Sequence, residues 1–182
     1  MKKTIYFDGE QRKDMPQKED AAVLAAGKGF DPFVMTCEEN GFTALQHRRS
    51  IYLIFEGNIP QPAFYPVPRL VLFAHDGAGG FFAHAGKGLD DSIYFISAER
   101  ECWWIAKDFR SFVQMVVFEP EWKEKITGKK EMQQESKSEK DALGIRFGFV
   151  SQEGVLAEQI HLESSFQIFE NIEKAREKVC IL

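Results

Sequence analysis

Between Pro68 and Val117 four short apolar runs follow one another, each cut off by turn residues, and an amphipathic segment closes the series. That order leaves few folds open. Leu70, Val71, Leu72, Phe73 and Ala74 are continuously apolar, as in a strand buried on both faces. Asp76-Gly77-Ala78-Gly79-Gly80 then supplies the positive-φ positions of a reversal, because glycine has no Cβ to clash. The run 81–85 returns, Gly86-Lys87-Gly88 breaks it, and residues 93–96 and 102–105 form two more strands across the polar loop 97–101. Phe109, Phe112, Val113, Val116 and Val117 fall on one helical stripe. The pattern predicts an α+β fold: an antiparallel β-meander with helices packed on one face.

A single domain over residues 1–182 fits the length, with the meander spanning 50–117. Upstream, Thr4 to Phe7 reads as a strand ending at the turn dipeptide Asp8-Gly9. Residues 21–26, alanine-rich, read as a helical turn or two. Phe33-Val34-Met35 is a possible strand, Asn40-Gly41 a hairpin-type dipeptide, and residues 51–55 a strand. Prolines 60, 62, 66 and 68 argue for an extended, unpaired connection. Downstream, 13 of the 23 residues from 119 to 141 are charged, which predicts a charged, exposed insert over about 120–141, either a helix or a mobile loop. Residues 144–182 then predict a C-terminal hairpin (145–150 with 155–162) and a helix capped by Ser164 or Ser165.

Composition narrows the function classes. A net charge of −5 argues against nucleic-acid binding, which needs a basic face for phosphates. Cys37, Cys102 and Cys180 are odd in number and widely spaced, so buried thiols in a reducing cytoplasm are expected rather than disulfides or zinc. No apolar segment follows the N-terminal lysines, and none is long enough to span a membrane; a cytoplasmic protein is expected.

No catalytic residue stands out. Gly27-Lys28 lacks both the upstream glycine and the following hydroxyl of a phosphate loop. The glycines at 77, 79 and 80 lead into a strand, not into the helix that the GxGxxG dinucleotide fingerprint requires. His75, Asp76 and His84 are chemically suited to a metal, but nothing in their spacing makes them converge, so no metal and no cofactor is expected. There is no GxSxG elbow and no cysteine in a nucleophile context. Asp76, Gly77, Gly79 and Gly80 are therefore read as a structural turn. Trp103 and Trp104 point to opposite faces of their strand; Trp103, sharing a face with Ile105, is expected in the core, and Trp104 against other strands or at the surface. An exposed Trp would serve as a binding anchor, while a sheet covered on both faces would bury both. Asp90, Asp91, Glu99 and Glu101 flank the third and fourth strands, opposed only by Lys87 and Arg100. These four carboxylates and Trp104 are the candidate partner-binding residues.

The segment 68–117 resembles the SUKH superfamily, which includes fungal cell-wall-synthesis regulators and bacterial toxin-immunity proteins. The likeness lies in the strand running into the FAHDGAGG turn at 73–80, the aromatic strand after it, the IYF strand at 93–95, and IAKDFRSFVQMV at 105–116. The resemblance implies an α+β protein without an active site that acts by binding another protein, as a bacterial immunity protein binds its toxin. A toxin acting on nucleic acid is basic around its active site, which suits an acidic loop cluster. The alternative is a small ligand-binding or enzymatic domain built on Gly77–Gly80 with His75 and Asp76.

Overall fold

The computed structural model describes residues 2–8, 21–25, 33–54, 61–85, 92–128, 135–150 and 159–179, with side chains from residue 40 onward. The chain opens with a three-stranded sheet in which β1 (Lys2–Asp8) lies between β2 (Ala21–Ala25), parallel to it, and β3 (Phe33–Glu38), antiparallel. Helix α1 (Glu39–Arg49) follows, then the short strands β4 (Tyr52–Leu53) and β5 (Tyr65–Val67). The punctuated apolar runs form β6 (Val71–His75), β7 (Phe81–His84), β8 (Ile93–Ile96) and β9 (Cys102–Ala106). Three helices come next: α2 (Phe109–Phe118), α3 (Trp122–Thr127) and α4 (Lys137–Arg146). Strands β10 (His161–Leu162) and β11 (Gln167–Phe169) and helix α5 (Ile172–Lys178) complete the described elements.

The meander is the centre of an antiparallel six-stranded sheet of order β10-β9-β8-β7-β6-β4. Alternation along each strand sorts its side chains onto two faces. Phe82, Phe95, Trp103 and Ile105 face the helices, where Phe109, Phe112, Val113, Val116 and Trp122 complete the larger core. Phe81, Ala83, Tyr94, Ile96, Cys102 and Trp104 form a second cluster with Phe64, Leu70 and Phe166. A register shift between Leu72 and Ala74 puts both Phe73 and Ala74 in the helix-side core. The second face is covered by the ribbon of β5 and β11. A meander covered on both sides accounts for the unbroken apolar runs.

Several expected elements take another form. Residues 21–25 are a strand: alanine's helix propensity, a few tenths of a kcal/mol per residue, yields to pairing with β1. Asn40-Gly41 lies inside α1 instead of in a hairpin. Pro66 sits in a paired strand, opposite Ile168, in a two-stranded ribbon where a missing N–H is tolerated. The expected hairpin strand 145–150 is instead the last residues of α4 and the turn that ends it. Gly148 adopts φ 71°, so that Gly148 N–H donates to Ile145 O and Phe149 N–H to Gly144 O, both at 3.0 Å. Phe147 and Phe149 mimicked strand alternation because they flank that glycine, and both are buried. Strand β10 pairs with β9, not with 145–150. The final helix begins at Ile172 with Asn171 as its cap, six residues or more beyond the expected serines, and β11 occupies part of the interval.

The charged insert contains α3 and the start of α4, but it is not wholly exposed: Trp122 is only 2% exposed and packs against Phe82 and Phe95. Helix α4 starts on a reciprocal cap in which Ser136 and Glu139 satisfy each other's backbone N–H groups.

Candidate functional site

The β6–β7 turn is closed by its own side chains. Asp76 Oδ1 accepts from Ala78 N–H and Gly80 N–H, each at 2.8 Å, and Gly77 N–H donates to His75 Nδ1 at 3.1 Å. Asp76 Oδ2 pairs with Lys123 Nζ at 3.4 Å, and His75 stacks on Tyr52. The amides of Gly77, Ala78 and Gly80, which a phosphate would need, are thus already engaged. Gly77 and Gly79 have φ of 75° and 96°, as the turn requires, but Gly80 does not. Gly80 is demanded by space: a Cβ there would lie 2.5 Å from Phe95 Cζ and 2.8 Å from Asp76 Oδ2. Phe95 is held by Phe82 and Trp122 and has little room to retreat. Gly80→Ala is expected to cost about 2 kcal/mol by overpacking, measured by urea denaturation. A loss below about 0.5 kcal/mol would show that the ring moves aside freely.

The strand register places His75 opposite Phe81 and His84 opposite Val71, at the two ends of the same hairpin. His84 is completely buried, and burial drives its pKa down to about 3, which keeps it neutral. Among the described residues no three His, Cys, Asp or Glu side chains are grouped as metal ligands. Burial, followed by the nearby charge of Glu163, pushes the Cys102 thiol up to about 12 and leaves it a poor nucleophile.

Of the four candidate acidic residues, Asp90 and Asp91 lie outside the described residues. Glu99 and Glu101 are exposed on the β8–β9 loop. Ser97 builds that loop: its N–H donates to Glu101 O, its carbonyl accepts from Arg100 N–H, and its Oγ accepts from Glu101 N–H. Arg100 takes a left-handed conformation at φ 70° and pairs with Glu170 on β11's flank at 3.4 Å. The tip therefore presents Glu99 and Glu101, while its one cation already has a carboxylate partner.

Trp103 and Trp104 do point to opposite faces, and both are partly buried. Trp103 packs on the helix-side core. Trp104 packs in the second cluster, donates its indole N–H to Ser92 Oγ at 2.9 Å, and stacks on His161 across the β9–β10 pair.

A node at the end of α1 had no signal in the sequence, where nothing separates Arg49 from Arg48. The Arg49 side chain is 3% exposed and uses all five donors. It bonds Val116 O (2.6 Å) and Val117 O (3.1 Å) at the end of α2, Arg48 O, and both oxygens of Glu135 (2.9 and 2.6 Å). That pairing, led by the hydrogen bonds from Arg49, holds the Glu135 carboxyl below its usual range.

The fold and these sites define an α+β protein whose glycine-rich turn is internally satisfied and whose β8–β9 tip is acidic. No protein-family model, no curated protein and no solved structure matches the chain. No described helix is long and apolar enough to cross a membrane.

Proposed function

We propose that this is a non-catalytic, cytoplasmic protein-binding domain of the toxin-immunity type, which occupies the active face of a basic partner domain. The observation that carries the reading is the β8–β9 tip: Glu99 and Glu101 stand exposed on a loop organised by Ser97, with Arg100 drawn to Glu170. Fixed carboxylates steer a basic partner and fix its register without large reorganisation. Asp90 and Asp91, which precede β8 in the chain and lie outside the described residues, are proposed as further partner contacts. Trp104, half-buried in the second cluster and engaged by Ser92 and His161, is not a free-standing anchor for this surface. The likeness of 68–117 to the SUKH superfamily agrees with this reading and rests on its motifs. The ligand-binding alternative is less well supported because His75 and Asp76 already bond the amides of the glycine turn.

The test is kinetic, on a partner recovered by affinity capture and identified. Reversing Asp90, Asp91, Glu99 and Glu101 to lysine should slow association at least tenfold at low salt and flatten its salt dependence. Unchanged association in a folded variant would place the interface elsewhere.

A further inference from the structure

A small polar pocket opens where α1 ends, distinct from the acidic tip. It holds about 60 Å³ and is lined by Arg48, Arg49, Ser50, Pro120, Trp122, Lys123 and Glu135. That is room for a few waters, or for one tetrahedral oxyanion. Three cations line it against one carboxylate, a surplus of two positive charges, or of one when Asp76, the partner of Lys123, is included.

The roles of these groups differ. Arg49 and Glu135 consume each other, and Arg49 has no donor left. They form the wall of the pocket. Arg48 is differently placed: its side chain is 49% exposed and its ion-pair distance to Glu135 is 4.0 Å, at the limit of such contacts. Lys123 Nζ stands a long 3.4 Å from Asp76. Arg48 can turn donors toward an anion at little cost to the fold. Lys123, 17% exposed and seated over the Trp122 and Phe95 rings, stays with Asp76 and offers its remaining N–H donors. Trp122 closes one side, and a large buried ring lowers the local polarity and strengthens charge interactions there.

Ser50 supplies an independent observation. It has φ 51°, a left-handed conformation at the end of a helix, where glycine is the usual residue. A side chain there costs about 1 kcal/mol. Strained backbone of this kind gathers at binding sites, and here the strained residue is a hydroxyl-bearing one that lines a cationic pocket. We propose that the pocket formed by Arg48, Ser50 and Lys123 against the Arg49–Glu135 wall binds a tetrahedral oxyanion of phosphate or sulfate size. Arg48 contributes the planar fork suited to paired oxygens and Lys123 a point charge. The inference is independent of the protein-binding reading.

The experiment titrates the full chain with inorganic phosphate, and separately with sulfate, at constant ionic strength against chloride. Melting temperature and calorimetric heat are read together. A saturable rise with phosphate or sulfate, absent with chloride, is expected. Arg48→Gln should weaken binding at least tenfold; Ser50→Gly should raise the basal melting temperature yet weaken binding. Amide resonances of Arg48, Ser50 and Lys123 in the unsubstituted protein should move during the same titration, which keeps the test valid if a variant misfolds. The proposal is overturned by the absence of a saturable response, by unchanged affinity in folded Arg48→Gln, or by resonance shifts confined to other regions. A response to acetate tighter than that to phosphate would also overturn it, and would mark a seat for a partner's carboxylate instead.

Discussion

Trp122→Ala is expected to lower the unfolding free energy by about 4 kcal/mol, in the range for truncating a large buried aromatic. The indole is 2% exposed, meets Phe95 edge-on with ring centres 5.7 Å apart, and lies 5.8 Å from Phe82. Its removal leaves a cavity under the β7–β8 pair that a helix of only six residues, α3, is poorly placed to fill. Urea denaturation measures the loss. Lys125→Ala, an exposed change in the same helix, serves as the control and should stay within about 0.5 kcal/mol of the parent. If the two variants behave alike, α3 does not anchor the core and the charged segment can be treated as surface throughout.

Arg49→Met should destabilise the chain by about 3 kcal/mol, because one change orphans several groups. Val116 O and Val117 O lose their donor at the end of α2, and Glu135, 17% exposed, loses its bidentate partner. The pH dependence separates this effect from lost packing. The folded chain holds the Glu135 carboxyl below its usual range. The pair's contribution is therefore complete above the carboxyl's unfolded pKa and disappears as pH falls through the lower folded value. The gap in stability between parent and Arg49→Met should accordingly narrow on acidification. A gap that stays constant to low pH would mean that the methylene stem, and not the charge, carries the effect.

The meander was legible because its signals are local. Runs of apolar residues between glycine-rich or polar turns set β6 to β9 to within a residue or so, and the stripe Phe109, Phe112, Val113, Val116 set α2. The glycine turn was also legible in kind, although Gly80 serves space and not φ. Elsewhere local pattern misled. Ala21 to Ala25 carries helix propensity but has a strand partner in β1. Phe147 and Phe149 alternate in sequence because a left-handed glycine separates them at a helix end. The Ser136–Glu139 cap carries a Ser-x-x-Glu signal, but it sits inside a charged run whose composition masks it.

For the candidate sites the division is sharper. That Glu99 and Glu101 would be exposed followed from charge and turn chemistry, and both are exposed. That Trp103 and Trp104 would face opposite ways followed from strand geometry. Neither consideration could say that β10 would bring His161 against Trp104, some sixty residues away in the chain. The same holds for Arg49, Glu135 and Lys123, which the sequence presents as three surface charges among many. Their meeting depends on where α1, α2 and α3 end relative to one another. Sequence alone determined the apolar runs, their punctuation and the sign of the loop charges, because hydrophobic periodicity and turn preference act between near neighbours. Only tertiary structure decided which charges are buried, which are paired and which share a pocket, because those depend on distances between elements far apart in the chain.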